Sequence, residues 1–461
     1  MDFDDIPRIM VEVGDMPEVG SRVHLVASTW NGPIEVEGVL LSPSAEDYLT
    51  IKLVNGYNAT YALESVDEIT CLGDIVATSN DIQTVAVNSH LPLVHILHTG
   101  GTIASKVDYS TGAVTARFEP EEIISSVPEL LNIARIETKK LGNMWSDDVR
   151  PQHWNRMAEA AAISFSEGAQ GVVITHGTDT MHISAAALAF AFSGCGGLPG
   201  GRIAFTGSQR SSDRGSSDGA ENLIAAVHWA AAGPSTTGAG DSTVVVMHAG
   251  GDDGSMAVIP GCAARKNHSS KRDAFSSINQ PNIGIITVNK GEVVLDLDES
   301  YIASSSKLNS RSTESSPTLY DEGVKILQLI AGAHLHADQI THASSHGYSA
   351  ILFWGTGLGH LPLDNPGDAP ENDGVRAAIE KYVAEGGIAV VSSQCIMGPV
   401  HLDVYSKGRD QQAIGLLGHG TNFSPETALV KLHHLLSRGL SGNELALEWK
   451  ENLVGENPSD I

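Results

Sequence analysis

The sequence predicts an α/β protein in which a small N-terminal β-barrel precedes two parallel-sheet α/β domains. Three observations carry that prediction. Between residues 17 and 72, short strand-like runs are separated by turn signals at Asn31-Gly32-Pro33, Ser42-Pro43-Ser44 and Asn55-Gly56. From Leu91 onward the rhythm changes to β-branched run, small-residue loop and helical pattern. A Ser-rich stretch at 304–319, poor in apolar residues, then splits that rhythm into two units.

The barrel is expected over 1–75, from the runs Val23–Val26, Ile34–Leu41, Tyr48–Val54 and Tyr57–Leu63. Strands this short and closely spaced suit a small barrel better than a parallel sheet. Residues 76–91 are polar and read as a linker. The first α/β domain is expected over 92–302. Its strands are Leu93–Leu97, Gly171–Ile174, Ile203–Phe205, Thr243–Met247 and Ile283–Val288, each but the last opening into a Gly/Ser/Thr-rich loop. Pro151 to Gly168 has a helix's Pro start and Gly stop, and Ser184 to Phe192 is an alanine-rich helical run. Residues 303–323 form the second expected linker. The second α/β domain, 324–450, holds the runs Val324–Ile330, Ala350–Trp354 and Ile388–Val391. Residues 451–461 read as a loose tail.

Composition narrows the function. The 461 residues are 41% hydrophobic, and no apolar run approaches the roughly 20 residues that span a bilayer. The acidic start MDFDDIPRIMVEVGD lacks the basic region of a signal peptide, so a soluble cytoplasmic protein is expected. A net charge of −27, from 55 acidic and 28 basic residues, argues against this chain being the main clamp on nucleic acid. Cys71, Cys195, Cys262 and Cys395 are too scattered for a zinc site or a disulfide scaffold. The 19 histidines include no HExxH pattern, and no metal site is expected.

The chemistry concentrates in two loops. Leu93–Leu97 runs into HTGGTIAS, which carries Thr102, and Gly171–Ile174 runs into THGTDTM, which carries Thr178 and Asp179. In parallel α/β sheets, ligands bind at the carboxyl ends of the strands. A threonine hydroxyl becomes a nucleophile only when a nearby base takes its proton, and a lysine paired with a carboxylate can be that base. Lys266, in ARKNHSSKRDAF, is the candidate. Singly, each signal is as compatible with a tight turn or a surface charge.

Together and in this order, HTGGTIAS, THGTDTM and KNHSSKRDAF resemble the asparaginase/glutaminase family of threonine amidohydrolases. The resemblance covers roughly residues 92–440 and implies asparaginase-type α/β domains. It also implies that Thr102 attacks a side-chain amide, while Thr178, Asp179 and Lys266 form the activating relay. It leaves open which of Thr102 and Thr178 carries the acyl group. Tyr109 matches the tyrosine of the family's mobile lid. Ser146 and Asp147, in NMWSDDVRP, match the segment that holds the α-carboxylate and α-ammonium groups of the substrate. The loop TGSQRSSDRGSSDGAENL also matches the family, and we read it as shaping the fold rather than as reacting.

The N-terminal barrel separates this chain from ordinary asparaginases. With it, and with the VNGYN hairpin, SKVDYSTGAV, GTGLGH, SSQC and DVYSKGRD, the whole chain resembles one branch of the family, the D subunits of archaeal glutamyl-tRNA(Gln) amidotransferases. That resemblance implies glutamine hydrolysis supplying ammonia to a separate E subunit. The E subunit would bind Glu-tRNA(Gln) and use ATP and Mg, leaving this chain without a cofactor. The branch also implies a homodimer within a heterotetramer, since the family's site is completed by a second subunit. Two alternatives stand beside it: a stand-alone L-asparaginase with an accessory barrel, and a non-catalytic module that only binds a small molecule.

Overall fold

The computed structural model describes residues 16–29, 32–41, 47–53, 58–74, 90–101, 105–108, 113–116, 127–210, 217–289, 291–306, 311–314 and 316–458. Strands β1 (Ser21–Thr29), β2 (Gly32–Leu41), β3 (Tyr48–Leu53), β4 (Asn58–Ala62) and β5 (Val66–Asp74) form one antiparallel sheet in the order β4-β3-β2-β1-β5. Val23, Leu25 and Ala27 alternate along β1 and meet Leu40, Leu49, Ile51 and Val66 in a separate small core. This period of two is what a sheet with one buried face requires. Among the described residues the end strands β4 and β5 do not pair with each other.

The central sheet begins with β6 (Leu93–His98), buried at every position. Strands β7 (Ser105–Asp108) and β8 (Ala113–Ala116) make a separate hairpin, and β9 (Arg135–Lys140) returns to the edge of the sheet beside β6. Helix α1 (Pro151–Ser166) leads to β10 (Gly171–Thr175), helix α2 (Met181–Ser193) to β11 (Arg202–Thr206), and helix α3 (Gly219–Ala232) to β12 (Val244–His248). Strands β9, β6, β10, β11 and β12 run parallel. The sheet is then extended antiparallel by β13 (Ser255–Pro260), and the segment β14 (Ala264–Lys266) with β15 (Phe275–Ser277) projects as a hairpin. Strands β16 (Gly284–Asn289) and β17 (Glu292–Leu297) finish the eight-stranded order β17-β16-β13-β12-β11-β10-β6-β9. The change of direction at β12 has a simple cause. Six residues join β12 to β13, too few for the dozen or so that a parallel crossover needs.

Helix α2 is buried nearly all round, because α1 and the sheet cover one side and the C-terminal domain the other. Its alanines permit that close approach. Helix α4 (Glu299–Ser305) closes the domain. The expected linker that follows is held at its described residues: Arg311 donates to Gly196 O and Ser193 O, and the buried Tyr320 donates from its hydroxyl to Ala187 O (2.7 Å). The second α/β domain has three parallel strands, β18 (Ile326–Ile330), β19 (Ala350–Gly355) and β20 (Ile388–Ser393). Helices α5 (Ala337–Ser345) and α6 (Pro370–Ala384) cover one face, and α7 (Ser406–Ala413) follows β20. Helices α8 (Pro425–Ser437) and α9 (Gly442–Lys450) cover the other face.

The expected loose tail is corrected for residues 451–458. Lys431 on α8 and Glu456 form a fully buried ion pair (2.7 Å), and the Glu456 carboxylate also accepts from Leu453 N and Val454 N. Val454 O accepts from Cys262 Sγ, and Gly455 O from Gln280 Nε2 (3.1 Å). Leu453 O accepts from Arg311 Nη2 (3.3 Å). The segment is polar because its partners are polar, so it straps the two α/β domains together.

Candidate active site

Neighbouring parallel strands bring the two threonine loops together. His98 at the end of β6 lies opposite Thr175 at the end of β10, and His98 Nδ1 and Thr175 Oγ1 are 2.7 Å apart. Thr99 N donates to Thr175 O (3.1 Å), so the loops leave the sheet side by side. Gly101 has φ 91°, and a Cβ there would lie 2.5 Å from Gly177 N. Only glycine lets these backbones touch. Thr102 and Tyr109 lie outside the described residues; the chain leading to Thr102 is placed against Gly177 as far as Gly101.

Thr178 follows directly and is buried. Lys266 ends β14 and reaches across to it: Nζ donates to Thr178 Oγ1 (2.7 Å) and to Asp179 Oδ1 (2.7 Å). The lysine side chain is only 8% exposed, whereas Asp179 is 69% exposed. The contact distances are those of a base and the proton it takes. Thr178 and Asp179, 88 and 87 residues before Lys266, thus meet it at one point.

Ser146 opens a short 3-10 turn, Ser146–Asp148, and is buried. A Cβ on Gly177 would sit 2.9 Å from Ser146 Oγ, and Thr180 donates from its hydroxyl to Ser146 O (2.5 Å). Ser146 is therefore packed on the Thr178 loop, with Asp147 exposed next to it. The loop after β11 supports the same place from the other side. A Cβ on Gly207 would lie 2.5 Å from His176 O, and the buried Asp218 carboxylate accepts from Ser208, Gln209 N, Arg210 N and Asn222. Those contacts tie residues 208–210 to the start of α3.

The histidines near the strand ends are structural. His176 donates from Nδ1 to Gly177 O (2.7 Å) and accepts at Nε2 from Ser184 (3.0 Å). Burial pushes its pKa down to about 4, against a weaker opposing effect of the Gly177 carbonyl, so it is neutral at pH 7. His182 is likewise lowered to about 4, by burial first and then by the cations of Arg265 and Lys266. One set among the described residues, Glu221, His248 and Asp253, has the spacing to hold a metal ion. Asp253 is already paired with Arg272, and His248 is bonded through Nδ1 to Asn222 and through Nε2 to Glu221.

A cavity of about 480 Å³ opens beside Lys266, between the two α/β domains. Asp179, His182, Arg265, Lys266, Trp354 and Glu426 line it. The last residues of that group escaped the reading of the sequence. Arg265 adjoins Lys266 in a motif already singled out, but Trp354 and Glu426 reach the site only through tertiary folding.

With the geometry in place, comparison with known proteins is direct. Residues 93–300 match the profile "Asparaginase, N-terminal", and residues 323–446 match "Glutaminase/Asparaginase C-terminal domain". The chain belongs to the asparaginase family. Over nearly its whole length it groups with proteins named as the D subunit of glutamyl-tRNA(Gln) amidotransferase. The one from Pyrococcus abyssi is 36% identical over 444 residues, covering 95% of this chain and 94% of that protein. The one from Metallosphaera sedula is 35% identical over 445 residues, covering 96% and 94%. Among solved structures, the thermostable L-asparaginase from Thermococcus kodakarensis superposes with a TM-score of 0.62 at 25% identity, covering 80% of this chain and all of that one. L-asparaginase I from Vibrio cholerae gives 0.63 at 25% identity, covering 80% and 99%.

Proposed function

We propose that this chain is the glutamine-hydrolysing subunit of a glutamyl-tRNA(Gln) amidotransferase. The observation that carries the proposal is Lys266 Nζ, held 2.7 Å from both Thr178 Oγ1 and Asp179 Oδ1 at the carboxyl edge of the central sheet. In this reading a threonine oxygen, from Thr102 or Thr178, attacks the side-chain amide carbon of glutamine. Lys266 takes the hydroxyl proton from Thr178, and Asp179 orients the lysine. Backbone N–H groups of the glycine loops stabilise the oxyanion. The C–N bond breaks, ammonia leaves with a proton, and water releases glutamate from the acyl-enzyme. Ser146 and Asp147 receive the substrate's α-carboxylate and α-ammonium groups, and Tyr109 closes over the nucleophile.

The ammonia passes to an E subunit, which holds Glu-tRNA(Gln), uses ATP and Mg, and forms Gln-tRNA(Gln). The acidic charge of this chain fits a division of labour in which the partner makes most tRNA contacts. Two copies of each subunit make up the assembly. No helix among the described residues is long and apolar enough to cross a membrane, and we place the complex in the cytoplasm. The L-asparaginase reading is favoured by the solved structures, but those cover 80% of this chain. The amidotransferase relatives match the N-terminal sheet too. A purely binding module has no use for a buried lysine on a threonine hydroxyl.

The test is ammonia release from glutamine by the purified chain, alone and with its co-expressed partner, ATP and Glu-tRNA(Gln), with Lys266→Ala as control. Stimulation by charged tRNA, lost in the lysine variant, is expected. Fast hydrolysis of asparagine without any partner would instead make this a free asparaginase.

A further inference from the structure

We propose that Arg265 and Glu426 are a positioning pair through which the C-terminal α/β domain sets the placement of Lys266. The inference rests on reading Lys266 as the base.

Lys266 sits at the end of a three-residue strand, in a hairpin held to β15 by short ladders. So small a hairpin does not fix a side chain by itself, and the fixation comes from the other domain. Helix α8 opens with Ser424 as N-cap and Pro425 in its first turn. In that turn Thr427 donates from its hydroxyl to Cys262 O (2.7 Å), and Glu426 Oε1 meets Arg265 Nη2 at 3.1 Å. One helical turn therefore grips the segment 262–265 at two points, immediately before the lysine. Asn279, next to the hairpin, adds a third contact by donating to Asn422 O (2.7 Å).

Two features mark the pair as more than an inter-domain tie. Both side chains are largely withdrawn from solvent, 19% exposed for Arg265 and 14% for Glu426, and both line the cavity shared with Lys266 and Asp179. Glu426 Oε2 is buried and accepts no hydrogen bond among the described residues. A pair serving stability alone gains most by engaging both carboxylate oxygens with the guanidinium fork. Here one oxygen is left unsatisfied at the wall of the cavity that Lys266 also lines. The titratable and charged groups facing Lys266 are Asp179, His182, Arg265, His268 and Glu426. Of these, Arg265 and Glu426 can be altered without touching the relay.

The test is ammonia release from glutamine by the full chain, with kcat and KM separated and thermal midpoints recorded. The variants are Arg265→Ala, Glu426→Gln and the exchange Arg265→Glu/Glu426→Arg. Misplacing the base lowers kcat by about tenfold to a hundredfold with little change in KM. Glu426→Gln weakens the tie to Arg265 and gives the smaller loss. Arg265→Ala removes the tie and gives the larger loss, and the exchange restores part of the lost kcat. Unchanged kcat in folded variants, or an exchange that restores none of the lost kcat, would overturn the proposal. If Arg265→Ala does not fold, the near-isosteric Glu426→Gln decides alone. Lys266→Ala separates the two levels: activity retained there removes the base assignment itself, and with it this proposal.

Discussion

Replacing Lys266 by methionine keeps the aliphatic stem in its slot and deletes Nζ, the atom that joins Thr178 to Asp179. The structure predicts very different costs for folding and for activity. Asp179 is mostly in water, and exposed ion pairs contribute about 0–1 kcal/mol. The hydrogen bond to Thr178 adds about 0.5–1.5 kcal/mol. The fold should therefore lose only about 1–2 kcal/mol. Loss of a positioned general base costs about 10²–10⁴ in rate, which is about 2.7–5.4 kcal/mol of barrier. The assay pairs a denaturant titration with initial rates of ammonia release at saturating glutamine. A folded Lys266→Met variant with wild-type kcat would refute the assignment of Lys266 as the base.

The same structure sets three further outcomes. Gly101→Ala places a Cβ 2.5 Å from Gly177 N on a backbone with φ 91°, so it should separate the threonine loops and lower kcat by about a hundredfold, checked by steady-state kinetics. Lys431→Met leaves Glu456 buried without its cation and should cost about 3–5 kcal/mol in denaturant unfolding, with part recovered in the double variant carrying Glu456→Gln. His176 and His182 have folded pKa values near 4 against an ordinary 6.5, so the unfolded chain binds their protons first. Stability from these groups is full above pH 6.5 and is lost as pH falls toward 4, which denaturant midpoints between pH 8 and 5 will show.

The sequence exposes what is local. Apolar runs ending in glycine loops mark β6, β10, β11 and β12, and Thr178, Asp179 and Lys266 lie in motifs that can be picked out before any fold is known. Their meeting within hydrogen-bond distance needed the register of β6 against β10 and the reach of the β14–β15 hairpin. What stayed hidden depends on distant partners. ENLVGENP looks like a tail because its polar groups find Lys431, Gln280 and Arg311 only in the folded chain. Glu426 looks like an ordinary acidic residue in a first helical turn until Arg265 stands opposite it. The antiparallel end of the central sheet was also unclear, because β16 and β17 carry runs that fit either direction.

The strap of residues 451–457 gives the site a schedule. These residues are synthesised after both α/β domains, yet they contact Cys262 and Gln280, which flank the hairpin that presents Lys266. Each domain can collapse around its own core while the ribosome is still at work. The hairpin is gripped from the far side only once α8 and then the strap have emerged. A nascent chain would thus carry the threonine loops before it carries a lysine held in place.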